Sequence, residues 1–313
     1  MSAADVPLVW RTPVPQATMS APVRGGGGVT LMIVVSCTLL LVTGVGLVIA
    51  FGGRPVRTPA ALVRPASGPE TLASVFLRYL WGANVATVAA VASAFLVAWP
   101  GGRLAMRILA LTSPLSAQGR LTEAQAVIGI PSVEGTLALL IFAGLPAGFA
   151  AAFIYMLIRR WLPAGRLGGP ALGLLLLLAF GASVDPLRPD NIDFEIVEPG
   201  WLAVVLFAAL ATLHGALVAA VAGAVSDRLQ PLARKTWKSY LPLLAAVLFP
   251  PAGLVLGIGA LLVMAKAKIF SPRPEGSWRQ PRAVLRAGRG ILLLVSLAAL
   301  PMFVGAVTSI AAR

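Results

Sequence analysis

Seven apolar runs constrain this chain more than any other feature. They lie at about 29–52, 75–99, 135–158, 167–184, 200–225, 241–265 and 290–311, each 18 residues or longer with few or no charges. A bilayer's hydrocarbon core is ~30 Å thick, which a helix crosses in about 20 residues. Lipid offers no partner to a backbone N–H or C=O, and a helix satisfies both within its own segment. A transmembrane barrel would read instead as ~10-residue stretches of alternating polarity, a pattern missing from this sequence. The expected fold is therefore all-α, a polytopic transmembrane helix bundle with seven hydrophobic segments.

Composition agrees. Of 313 residues, 58% are hydrophobic and 12% charged, half the ~25% charged share of a soluble chain. The net charge of +14 by itself would suit a nucleic-acid binder, but seven membrane-length runs exclude that partner. The longest connections are the tail 1–28, the stretch 100–134 and the loop 266–289, and none has the apolar periodicity to close its own core. One membrane domain over 29–311 is expected, preceded by a Pro- and Gly-rich disordered tail, 1–28. The first run is longer than a signal-peptide core and reads as a retained helix. Cys37, the single cysteine, is a packing residue with no disulfide partner. Only four basic residues are lysine, which with the Ala, Gly, Val and Pro load points to a high-GC bacterium and its plasma membrane.

Basic residues should concentrate in cytoplasmic loops. The loop 185–199 is acidic (Asp185, Asp190, Asp193, Glu195 and Glu198 against Arg188), while both neighbouring loops are basic. This places 185–199 outside. Seven simple spans would then put eleven basic residues inside and thirteen outside, seven of those in 266–289. Pro250 and Pro251 sit near the middle of the sixth run and remove two backbone donors there. A break at that point makes the run a re-entrant hairpin and changes the tally to seventeen inside and seven outside, Arg78 left uncounted. Six spans plus this hairpin, or seven spans, are the two arrangements to distinguish.

Small residues spaced by four recur: Gly144 and Gly148, Gly169 and Gly173, Gly215 with Ala219 and Gly223, Gly253 and Gly257. Such faces let helix backbones approach closely in lipid and fit a compact bundle, alone or as a homo- or hetero-oligomer. Trp81, Trp99, Trp161 and Trp201 fall near run ends, where interfacial anchoring is expected.

Few residues could carry chemistry. In SVDPLRPDNIDFEIVEPGW, Asn191, Asp193 and Glu195 alternate with apolar residues, a period that suits a short strand on the membrane surface. With Asp190 they are a candidate cation-binding loop; the simpler reading is a solvated outer turn with its apolar side on the bundle. His214 lies inside the fifth run, where an ionisable group is a candidate solute contact or a hydrogen bond between helices. Arg78, early in the second run, is the other candidate substrate contact, or snorkels to the headgroups. Arg103 and Arg107 share one face of Gly102–Leu111, the pattern of a helix lying in the interface. The loop 266–289 carries seven Lys/Arg and one Glu, enough to attract anionic headgroups of membrane lipids. One histidine and one cysteine cannot form a His₂ or thiolate metal site within one chain. Walker A, HExxH, GxSxG and GxGxxG patterns are missing as well, so no cofactor and no catalytic residue is expected.

GGRLAMRILALTSP at 101–114 and DPLRPDNIDFEIVEPGWLAV at 185–204 resemble a group of uncharacterised multi-pass membrane proteins of high-GC bacteria, loosely over residues 75–230. The resemblance implies a membrane fold and makes the acidic loop a group feature, but transfers no activity, ligand or site residue. The expected function is a non-catalytic scaffold or a subunit of a membrane complex. A small transporter or permease, or an enzyme acting on lipid-linked substrates at the outer face, are the alternatives.

Overall fold

The computed structural model describes residues 26–62, 71–269 and 282–313. Most of the tail, Arg64, and the stretch 270–281 within the basic connection lie outside the described residues. Eight helices dominate the described residues: α1 Gly26–Phe51, α2 Leu72–Thr112, α3 Val133–Ile158, α4 Gly168–Phe180, α5 Gly200–Arg228, α6 Leu243–Leu248, α7 Pro250–Ile269 and α8 Arg282–Ala311. Six of them, α1, α2, α3, α5, α7 and α8, are long and apolar enough to cross a membrane. The described residues contain no β-strand beyond an isolated bridge, Leu121 to Val127.

Two of the long helices contain a π turn, and proline explains both. Pro100 and Pro146 would each press on the carbonyl four residues back in a regular helix. The residue before each proline bonds five residues back instead, Trp99 N–H to the Ala94 carbonyl and Leu145 N–H to that of Leu140. The widened turns, Ala94–Ala98 and Leu140–Gly144, accommodate the rings, and both helices continue. This corrects one expectation. Gly102–Leu111 is not a separate interfacial helix but the C-terminal end of α2, running on to Thr112.

Contacts at the helix ends sort the bundle into two rims. At one, Arg54 pairs with Asp227 at 3.7 Å, Arg159 donates to the Val56 carbonyl at 3.5 Å, and Gly288 of α8 packs on Trp161. Gly53 lies here with φ +88°, and a Cβ on it would meet Arg166, so the turn after α1 needs glycine. At the other rim Thr112 donates to the Glu198 carbonyl at 2.9 Å, the Ile310 backbone lies on Gly200, and Arg313 reaches the Pro189 carbonyl at 3.1 Å. Thus α1, α3 and α5 run toward the first, basic rim, and α2, α4 and α8 toward the second, acidic one.

Glycine sets the centre. A Cβ on Gly215 would overlap the backbone of Gly169 and Gly173, and one on Gly148 would overlap the Ala90 carbonyl. The small-residue faces at 144/148, 169/173 and 215/219 sit in helix contacts, Gly223 lies on the Arg54 backbone in the turn after α1, and Gly257 has open space around it. In α2, 61% of the most apolar stretch is buried, against 6% in α7 and in α8; α2 is the axis, and the last two helices are peripheral.

After α5 the chain forms a turn at Trp237–Tyr240, then α6, and breaks at Phe249, whose ψ of 96° is not helical. Three contacts follow it against α2 and α3: Asn84 donates to the Ser239 carbonyl at 2.9 Å, Phe249 stacks on Phe149 at 5.4 Å, and Tyr79 donates to the Leu256 carbonyl at 2.5 Å. Gly253 faces Ala246 and Val247, so the first turns of α7 lie beside α6.

Candidate functional site

At the acidic rim, 113–132 and 181–199 fold together over the helix ends. Leu187, Phe194 and Ile310 are buried with Leu109, Leu177 and Ala203, and Ile196 with Ala110, Ala117 and Ile128. The polar groups pair with one another. The Asp193 carboxylate accepts the Glu123 backbone N–H at 2.7 Å, and Arg188 pairs with the Glu123 carboxylate. Arg188 Nε lies 3.2 Å from Asp190, an ion pair without the angle of a hydrogen bond. Burial raises the Asp185 carboxyl above its ordinary range; Arg188 opposes this, and Glu123 and Asp193 add to it. Burial likewise raises Asp193 against the backbone bond from Glu123.

The expected surface strand is a 3₁₀ turn, Ile192–Glu195. The Asn191 side chain accepts the Asp193 N–H at 2.8 Å, a local bond that competes with extended structure, and Phe194 anchors the turn from inside. Asp190, Asn191, Asp193 and Glu195 are neighbours in sequence without turning to a common centre. Asp190 faces Arg188, Asp193 faces Glu123, and Glu195 is exposed. Among the described residues no group of three or more His, Cys, Asp or Glu is placed to hold a metal ion.

His214 lies midway along α5, buried, with Nε2 3.4 Å from the Ala147 carbonyl of α3. Its Nδ1 is buried and has no partner among the described residues. Arg78 is half-buried, two turns into α2 and beside Tyr79 at the basic rim, so the two candidate solute contacts are not brought together. Arg103 ties α2 to the first turn of α3 through the Thr136 hydroxyl, and Arg107 ties it to the loop before α3 through the Gly129 carbonyl, both at 3.0 Å. Two of the expected interfacial tryptophans have other roles: Trp81 is buried and donates to the Leu229 carbonyl, and Trp99 donates to that of Thr136.

With this geometry in place, comparison with known proteins adds nothing to it. No family model, curated protein or solved structure matches this chain.

The basic rim holds a feature that sequence reasoning missed. A crevice of about 250 Å³ opens among Phe51, Ala224, Val225, Arg228, Leu229 and Ser239. The guanidinium of Arg54 lies 4.8 Å from the centre of the Phe51 ring and that of Arg228 5.9 Å. In the sequence these residues register only as loop charges, because more than 170 positions separate the two arginines. The crevice is lined by residues other than His214 and Arg78.

Proposed function

We propose that this chain is a non-catalytic integral membrane protein, acting as a scaffold or as a subunit of a membrane complex in a bacterial plasma membrane. The observation carrying this reading is the closed centre. Backbone meets backbone at Gly148, Gly169, Gly173 and Gly215, and Trp81, Val85, Ala89, Leu217 and Val218 fill the space between. A solute path through the middle would have to separate these helices. Meanwhile α7 and α8 present nearly their whole length outward, as lipid-facing helices or as seats for partner helices.

In this reading the basic rim faces the cytoplasm, the loop 185–199 lies outside, and 237–269 is a re-entrant hairpin beside six spans, α1 to α5 and α8, so that the short α4 crosses and α7, although long enough, does not. Two observations support the hairpin. Its contacts with Asn84, Phe149 and then Tyr79 lead inward and back, and α8 starts beside Trp161 at the basic rim. Single cysteines in a Cys37→Ser background test it. Leu115→Cys should react with an impermeant maleimide on intact cells, and Lys268→Cys only after permeabilisation. Labelling of both from outside would make α7 a seventh span.

A small transporter is the second reading, favoured by one observation, the buried and unpartnered Nδ1 of His214, since ionisable groups inside spans often serve solutes or protons. Extraction from native membranes into polymer-bounded discs separates the two. The subunit reading expects a defined homo- or hetero-oligomer and no flux from vesicles holding the chain alone. Flux of an ion or small solute that His214→Ala abolishes would replace it with the transporter. The third reading, an enzyme using a metal on the outer loop, gains nothing from Asp190, Asp193 and Glu195 as they stand.

A further inference from the structure

We infer that the crevice between the basic-rim ends of α1 and α5 binds one anionic phospholipid, its phosphate on Arg54 and Arg228 and an acyl chain along the crevice wall. The site goes beyond the subunit reading and needs only that the chain sits in a bilayer.

Phe51 is the last residue of α1 and Arg228 the last of α5. The crevice therefore opens where spanning helices end, at the depth of lipid phosphates. Its walls are mainly apolar, formed by Phe51, Ala224, Val225 and Leu229. Arg228 lines the crevice, and its guanidinium and that of Arg54 both lie over the Phe51 ring that forms one wall. Asp227 offsets part of this charge, 3.7 Å from Arg54, with both side chains partly exposed.

Helix C-termini ordinarily repel anions through their free carbonyls, so the state of those carbonyls decides the matter. Val48 O and Phe51 O accept from the Gly52 and Arg54 N–H groups, and Val225 O accepts from Leu229 N–H. Leu229 O is taken by the Trp81 indole and Ser239 O by the Asn84 amide. These acceptors are occupied, and the two guanidinium groups outnumber the one carboxylate beside them, Asp227. A free phosphate would meet the same cations but leave the apolar wall uncovered. A lipid covers both, and its chain enters from the surrounding bilayer without crossing water.

Basic groups near a membrane surface contribute about 1 kcal/mol each toward anionic lipid, so two arginines predict a preference of roughly 10- to 30-fold. Native mass spectrometry of the full chain in mild detergent reads this directly, with phosphatidylglycerol and phosphatidylcholine of identical acyl chains competing. One phosphatidylglycerol per chain should be retained at that preference. It should fall below about 3-fold in Arg54→Gln/Arg228→Gln and persist in Arg54→Lys/Arg228→Lys, which keeps the charge. Arg120→Gln, exposed at the opposite rim, should leave it unchanged. Thermal unfolding of each variant confirms that the protein compared is folded. Equal retention of the two lipids, an unchanged preference in the double glutamine variant, or displacement of the lipid by millimolar inorganic phosphate would each overturn the proposal, the last by assigning a free-anion site.

Discussion

The two rims of this bundle are held by different physics. At the acidic rim, loops bury Leu187, Phe194 and Ile196 and pair Arg188 with Glu123 and Asp190, as a small water-soluble domain does. Water surrounds that cap, so burying its apolar side chains gains the ordinary hydrophobic free energy. At the basic rim Arg54, Arg57, Arg159, Arg160, Arg166 and Arg228 meet one described carboxylate, Asp227. Among the described residues this rim therefore carries an excess of positive charge. The cap closes the molecule; the basic rim is open to what surrounds it.

Truncation of a buried aromatic breaks this contrast most strongly. Phe194→Ala should cost about 3–5 kcal/mol and shift thermal unfolding, because Phe194 is 5% exposed in the cap. Trp237→Ala, at the basic rim and 52% exposed, should shift it little. Equal shifts would mean the cap has no core of its own. Next in size is the pair of Arg188 with Glu123. Both side chains are partly exposed, so a double-mutant cycle with Arg188→Gln and Glu123→Gln should return a small favourable coupling that shrinks as salt is raised.

Acid titration gives a smaller change with a definite sign. Asp185 holds its proton more tightly in the folded cap than the ordinary value of 3.8 implies. The folded state binds more protons above that value, so this group's contribution to stability is greatest at low pH and is lost as pH rises through its folded pKa. Asp185→Asn should flatten that slope in pH-dependent unfolding, and an unchanged slope would assign it to other groups. Least affected should be Arg54→Gln, within about 0.5 kcal/mol in stability, while lipid retention changes. A large loss of stability would make the basic rim structural, like the cap.

The sequence was most legible where lipid imposes its demand on the backbone. Every predicted run contains helix, and Pro250–Pro251 marks the break between α6 and α7. It was least legible where a neighbour supplies what the local sequence lacks. The second apolar run reads as ending near residue 99, yet a π turn before Pro100 lets α2 continue to Thr112. The alternation at 191–196 suggested a strand, yet Asn191 and Phe194 fix a 3₁₀ turn. Trp81 looked like an interfacial anchor and is instead an interior donor to Leu229. For the site candidates, residue type drew attention to His214 and Arg78, but spacing could not bring Phe51, Arg54 and Arg228 into one crevice.

The sequence by itself determined the helical membrane class, the presence of helix in each apolar run, and the gathering of acids into one loop. Hydrophobicity and backbone hydrogen bonding are local requirements, readable residue by residue. Only the tertiary structure decided which glycines are contacts, how the acidic loop becomes a packed cap, and which arginines share a ring. Those depend on helices far apart in the chain meeting at a given height and rotation, and close packing between them is a property of pairs rather than of single segments.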